Sequence, residues 1–195
     1  MTDTSPSSGR YTRLAMLLHW LTAALVIGNV LIVWTVDFLP DDFARPMIDT
    51  HKSMGITVLG LSILRLLWRF GNPPPAFPDG YAKWEQRAAH AAHGLLYALL
   101  FLMPLSGWMH DSAWNAAASH PMYFFGLFEW PRLGFIMAID PATKERLHDL
   151  FGLIHASFGY VLYGVLALHV LGALKHQVFD GEAEMQRILP WGRTR

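Results

Sequence analysis

Four long apolar runs divide the chain, and charged or turn-forming residues bound each of them. The first, Leu14 to Val36 (LAMLLHWLTAALVIGNVLIVWTV), has no formal charge, and at about 1.5 Å per residue it can cross a hydrocarbon core of roughly 30 Å. It runs into TVDFLPDD rather than a small-residue cleavage site, so it reads as a span and not as a leader. Further spans are predicted over Thr50–Phe70, Ala88–Met109 and Leu150–Leu174. Between them lie a short acidic connection, Asp37 to Asp49, and a second, Gly71 to Arg87, whose NPPPAFPDG stops the helix and stiffens the loop. The third, His110 to Asp149, is long. Its apolar stretch MYFFGLFEW is too short to cross and reads as a loop or interfacial piece. The pattern predicts an all-α, integral membrane four-helix bundle over residues 11–178, a disordered cytoplasmic tail over 1–10 and a cytoplasmic C-terminal segment over 179–195.

Composition agrees with a membrane class: 53% of residues are hydrophobic and only 15% charged. Lysine plus arginine and aspartate plus glutamate number 15 each, so no charge excess points to nucleic acid. The placement of the basic residues says more. Arg10, Arg13, Arg65, Arg69, Lys83, Arg87, Lys175, Arg187, Arg193 and Arg195 fall at one end of the bundle, against Arg45, Lys52, Arg132, Lys144 and Arg146 at the other. By the preference of short basic loops for the cytoplasm, both termini are predicted to be cytoplasmic, which for a bacterial chain places the other end in the periplasm and the protein in the inner membrane. Cysteine is absent, which excludes a disulfide framework, thiolate metal sites, covalent haem attachment and a cysteine nucleophile.

The candidate chemistry rests on histidines inside the spans, because an imidazole in hydrocarbon must lose its water and find a partner. His155 and His169 stand 14 residues apart, near four turns, so they share a helix face about 21 Å apart along the axis. His51 opens the second span at the depth of His155. His19 lies nearer the depth of His169, within the apolar run MLLHWLTAAL; His90 and His93 compete with it for that position. Two facing neutral imidazoles suit the axial positions of a haem iron, and four-helix bundles build such sites from facing helices. Zinc fits less well, since a structural zinc site gathers four ligands at one place. Gly55, Gly94, Gly152 and Gly159 near these histidines would let a flat macrocycle approach, or would serve close helix packing. Arg65 and Arg69 suit either snorkelling or contact with haem propionates, Arg13 and Lys175 likewise. His110, His120 and His148, in or beside the long loop, read as surface residues or else as part of a substrate approach, and His176 as a cap at the end of the last span.

These pieces together resemble the bacterial cytochrome b561 family. The resemblance lies in YTRLAMLLHWL with His19, IDTHKSMGITVLGLSILRLLWR with His51, AAHAAHGLLYALLFLMPLSGW, and LIHASFGYVLYGVLALHVLGALKH with His155 and His169, and it covers Tyr11 to His176. It implies two haem b groups, His19/His169 ligating the cytoplasmic-side iron and His51/His155 the periplasmic-side iron, with electrons delivered to membrane ubiquinone. Arg13, Arg65, His90 and His93 become candidates for quinone or propionate contact. Standalone members of that family include a superoxide oxidase type, which takes electrons from superoxide at the periplasmic face. The wider group holds the cytochrome b subunits of formate dehydrogenase and nickel–iron hydrogenase, so the alternative is a membrane anchor and electron relay for such a periplasmic partner. Membrane lipid surrounds the bundle in either case, and a homo-oligomer is compatible with both. No obvious basic funnel for superoxide stands in the sequence, although Arg45, Lys52, Arg132, Lys144 and Arg146 could form one in the fold.

Overall fold

The computed structural model describes residues 9–78 and 80–191. Four long helices carry it: α1 (Arg13–Val36), α2 (Asp41–Gly71), α3 (Lys83–Ala113) and α5 (Pro141–Val178). All four are long and apolar enough to cross a membrane. Between α3 and α5 lie a 3₁₀ turn (Ala117–Ser119), a two-stranded hairpin, β1 (Tyr123–Phe124) with β2 (Phe128–Glu129), and the short α4 (Gly134–Met137); α6 (Glu184–Ile188) follows α5. We call the two faces of the bundle the termini end and the hairpin end.

The burial pattern is that of a protein solvated by lipid. Leu17, Leu31, Leu67, Leu153 and Leu171 point outward, while Thr22, Ser53, Ser62, Ser106 and Ser112 are buried between helices. Small hydroxylated residues let backbones approach, and each can return its proton to its own helix. Thr22 donates to Leu18 O at 2.7 Å and Ser62 to Val58 O at 2.7 Å, so neither leaves a polar group unpaired in an apolar interior.

Helix α5 packs chiefly on α3, α1 packs on α2, and α2 on α3. The backbones of α1 and α2 therefore stand off from α5, and that interval is bridged by side chains.

Helix ends differ from the hydropathy reading, because outside the membrane capping rather than apolarity decides where a helix stops. Asp140 accepts from Thr143 N at 3.0 Å with Pro141 following, so α5 starts nine residues before the predicted span and takes in His148. α3 runs on to Ala113 and takes in His110. α2 begins at Asp41, so most of the acidic connection is helical, with Asp41 and Asp42 favourably placed in its first turn.

Residues 179–191 fold back on the termini end of the bundle. Arg187 is buried and donates to Gly9 O at 2.7 Å, Pro75 O at 3.3 Å and Ala76 O at 2.5 Å. Arg10 donates to Gln186 O and Leu189 O, and Trp20 Nε1 to Ile188 O at 3.0 Å. The C-terminal segment thus straps the start of α1 to the α2–α3 loop. The remainder of the expected tail, residues 1–8, and the basic residues Arg193 and Arg195 lie outside the described residues.

Candidate functional site

The interval between α5 and the α1/α2 pair holds the four singled-out histidines in two groups. At the hairpin end, His51 of α2 faces His155 of α5 with ring centroids 6.1 Å apart and planes at 89°. At the termini end, His19 of α1 faces His169 with centroids 6.4 Å apart and planes at 59°. His93 of α3 also reaches His169, at 5.2 Å. His90 is not brought in: it bonds Gln86 O at 2.7 Å and packs on Phe77. Arg13 lies exposed at the first position of α1.

These separations can be compared with what one metal needs. Two metal–imidazole bonds of about 2 Å each, with ring centres about 1.1 Å beyond each nitrogen, would put the centroids of two opposed ligands roughly 6.2 Å apart. The His51/His155 and His19/His169 separations meet that length, and His93/His169 falls about 1 Å short of it.

The ring nitrogens differ between the two ends. At His155, Nδ1 lies 3.1 Å from Met103 O and 3.0 Å from Ser106 Oγ, and the Ser106 hydroxyl itself donates to Met103 O. The carbonyl can only accept, so Nδ1 carries the proton and Nε2 keeps its lone pair, the tautomer a metal ligand requires. Gly107 makes this seat possible: a Cβ there would lie 3.0 Å from His155 Cε1. His51 Nδ1 is buried beside the Asn29 backbone, outside good hydrogen-bond geometry. One turn beyond each of these histidines is a glycine. A Cβ at Gly55 would meet nothing within 4 Å, and one at Gly159 only Met103 Cε and the Tyr163 hydroxyl, both at 4.0 Å, so a planar group has room beside both rings.

At the termini end, Arg65 Nη2 lies 3.3 Å from His19 Nδ1. A guanidinium only donates, so here Nδ1 accepts and the ring proton sits on Nε2. Ligation through Nε2 requires Arg65 to leave Nδ1. Its guanidinium also lies over the Tyr97 ring at 5.4 Å, alongside that of Arg69 at 5.6 Å, and neither has a carboxylate partner among the described residues. Two guanidiniums over one ring, next to an imidazole pair, make a local anion-accepting surface.

The sequence reading missed several contributors. Ser106 and the Met103 carbonyl follow no motif, although a serine two residues after Pro104 inside an apolar run is a visible irregularity. Tyr97 and Trp20 were lost among the many aromatic residues. His110 and His148, expected on the surface, are stacked with centroids 3.9 Å apart. His176 does stand at a helix end, but it stacks on Tyr81 at 3.9 Å and bonds Asp180 at 2.6 Å.

A membrane bundle that holds opposed imidazole pairs between its helices defines the class of membrane haem proteins that carry electrons. Within that class, the chain belongs to the prokaryotic cytochrome b561 family, whose model matches residues 10–191. It is similar to cytochrome b561 homolog 2 of Escherichia coli K12, 29% identical over 92% of this chain and 91% of that protein. It is also 27% identical to a probable superoxide oxidase CybB of Yersinia pestis, over 93% of this chain and 96% of the relative. A third relative, cytochrome b562 of Cereibacter sphaeroides, is 32% identical over 54% of this chain and 71% of its own length. The protein is therefore a multi-pass membrane protein that binds b-type haem and works in electron transfer.

Proposed function

We propose that this chain binds two b-type haems, one between His51 and His155 and one between His19 and His169, and moves electrons from a periplasmic donor, superoxide, to membrane ubiquinone. The observation that carries this reading is the pair of separations, 6.1 Å and 6.4 Å, each of a length that one axially ligated iron would span. When bound, the haems supply the one-electron redox couple; the protein supplies ligands, orientation and local charge. Met103 O and Ser106 hold the His155 ring by Nδ1, which leaves Nε2 unprotonated and able to serve as the ligand. Arg65 and Arg69 would offer cations to haem propionates at the termini end, and Arg65 would have to release His19 Nδ1 for that ring to ligate through Nε2. His93 is the imidazole left over by this pairing, and we assign it to the quinone. The basic residues support placing the termini end in the cytoplasm and the hairpin end in the periplasm of the inner membrane. Superoxide as donor is favoured by the Yersinia relative's name and by nearly full-length alignment with it.

Two measurements test this. Haem counted by reduced-minus-oxidised spectroscopy should give two per chain, and one in each of His51→Ala, His155→Ala, His19→Ala and His169→Ala. The purified chain, alone in detergent with ubiquinone, should be reduced by a superoxide source. A fully haem-loaded chain that superoxide leaves oxidised refutes the donor; copurification with a periplasmic metalloenzyme subunit would instead favour the anchor and relay role.

A further inference from the structure

The seat of His155 on α3 is repeated, with the helices exchanged, by His110 on α5. His155 lays its ring on Gly107 and offers Nδ1–H to Met103 O, four residues before that glycine. His110 lays its ring on Gly152 and offers Nδ1–H to His148 O, again four residues before the glycine, at 2.9 Å. The Cβ that either glycine lacks would lie 3.0 Å from Cε1 of the ring it supports. α3 and α5 run antiparallel, so the two seats are related by an approximate two-fold axis across their contact. His148 closes the arrangement. Its Nδ1–H returns to His110 O at 2.9 Å, and the two rings stack 3.9 Å apart with planes 17° from parallel.

We propose that His110, with His148, is a positioning clasp for the hairpin-end haem site. Two reciprocal imidazole-to-carbonyl bonds fix the rotation and the register of α5 against α3. His155 is three residues beyond Gly152, less than one turn, so a rotation of α5 permitted by loosening the clasp turns the His155 ring directly. The neighbouring Lys52–Asp111–Arg132 ion pairs tie α2 to the same end of α3, so all three helices that frame His51 and His155 are held within one turn of the site. The His110 and His148 rings stack face to face at 3.9 Å instead of standing at the separation that one iron would span, so the clasp belongs to the support of the site. Among the described residues nothing equivalent secures the termini-end pair, where α5 is held by the more exposed contact of Lys175 with Glu85.

This inference rests on His155 being an axial ligand, and the experiment separates the two. His155→Ala should lose one of two haems; retention of both sinks the ligand reading itself. His110→Ala and Gly152→Ala, purified as full chains, are then compared by electron paramagnetic resonance and redox titration. Both should keep two haems, with the low-spin signal and midpoint potential of one shifted and those of the other unchanged. His110→Asn, whose amide N–H can occupy the place of Nδ1–H, should restore the wild-type signature. The clasp is overturned by unchanged signals in both the His110→Ala and Gly152→Ala proteins, or by His110→Asn losing a haem as fully as His155→Ala, which would make His110 a ligand. The unshifted haem serves as an internal check that the bundle has folded.

Discussion

Replacing Asp111 by asparagine should weaken the fold and at the same time raise the rate at which an anionic donor reaches the hairpin end. The carboxylate is buried at the end of α3 and bridges two cations, Lys52 Nζ at 2.9 Å and Arg132 Nε at 2.7 Å. Removing one partner from a fully buried ion pair costs about 3–5 kcal/mol, because the charge left behind has lost its water and its counter-charge. Two features hold the expected loss at the lower edge. Lys52 is 24% exposed, and Arg132 keeps the Ala117 and His120 carbonyls at 2.6 and 2.7 Å. A loss of about 3 kcal/mol would lower the unfolding midpoint by roughly 6–12 °C in a chain of this size. The local charge of the trio rises from +1 to +2. A further unit charge seen from about 10 Å in water contributes about 0.4 kcal/mol, or a twofold faster encounter with a singly charged anion, such as the donor proposed above, at low salt. That gain should vanish near 1 M salt, where the Debye length is about 3 Å. Of the five cations at this end, Lys52 and Arg132 share one carboxylate and Lys144 is buried, while Arg45 and Arg146 are exposed. Fluorescence-detected thermal unfolding in detergent and stopped-flow haem reduction at two salt concentrations measure both effects. Wild-type stability would refute the role of the trio in the fold, and a salt-independent rate would refute its electrostatic role.

Other perturbations read out other parts of the molecule. His155→Ala and His169→Ala should each lose a different haem, so the two variants should retain spectrally distinct survivors. Arg187→Ala removes a buried guanidinium shared by three carbonyls and should expose residues 179–191 to limited proteolysis, at a cost of about 2–4 kcal/mol. Ser53→Ala deprives Phe125 N–H of its acceptor at 3.0 Å and should loosen the hairpin, with about 1–2 kcal/mol lost and faster amide exchange at Phe125. The Lys175 ammonium beside Asp180 holds its carboxyl below the usual carboxylate range, with His176 adding to the effect. Its contribution is therefore present above the ordinary carboxylate pKa of about 4 and is lost as pH falls through the lowered one, so proteolysis of the strap should be flat from pH 5 upward and should rise only in stronger acid.

The spans were legible because lipid imposes a simple demand: a backbone crossing hydrocarbon must be helical and must present apolar side chains for its whole length. The histidine pairs were legible for a related reason. With four spans of known direction, position along a helix becomes depth, and residues of equal depth are the ones that can meet. What depth cannot supply is rotation, which decides that His90 turns to Phe77 while His93 turns to His169. The helix ends were misplaced because beyond the membrane a cap such as Asp140 governs, and hydropathy is silent about caps. The hairpin was hidden by its turn. Phe125 and Gly126 take φ of 48° and 72°, and only the glycine advertises such a conformation in a sequence. The strap was hidden because Arg187 bonds carbonyls, and any sequence offers carbonyls.

The two ends of the bundle are held by different means. At the hairpin end every ring nitrogen turned away from the site, except that of His51, is committed to a backbone oxygen, and glycines admit the rings so closely that they have little freedom to turn. At the termini end His169 has two possible neighbours, His19 Nδ1 is taken by the Arg65 guanidinium, and the strap over that end is fastened chiefly by side chains, with one backbone bond from Tyr11 N to Arg187 O. A rigid shell keeps an iron's ligands fixed through repeated one-electron steps, which suits a site that only receives and passes on charge. Reduction of a quinone must also accommodate a bulky molecule that enters and leaves with protons. The termini end, with a third imidazole and two guanidiniums that have no carboxylate partner among the described residues, has the parts such a molecule needs, and the proposal that the acceptor binds there rests on this difference between the ends as much as on charge.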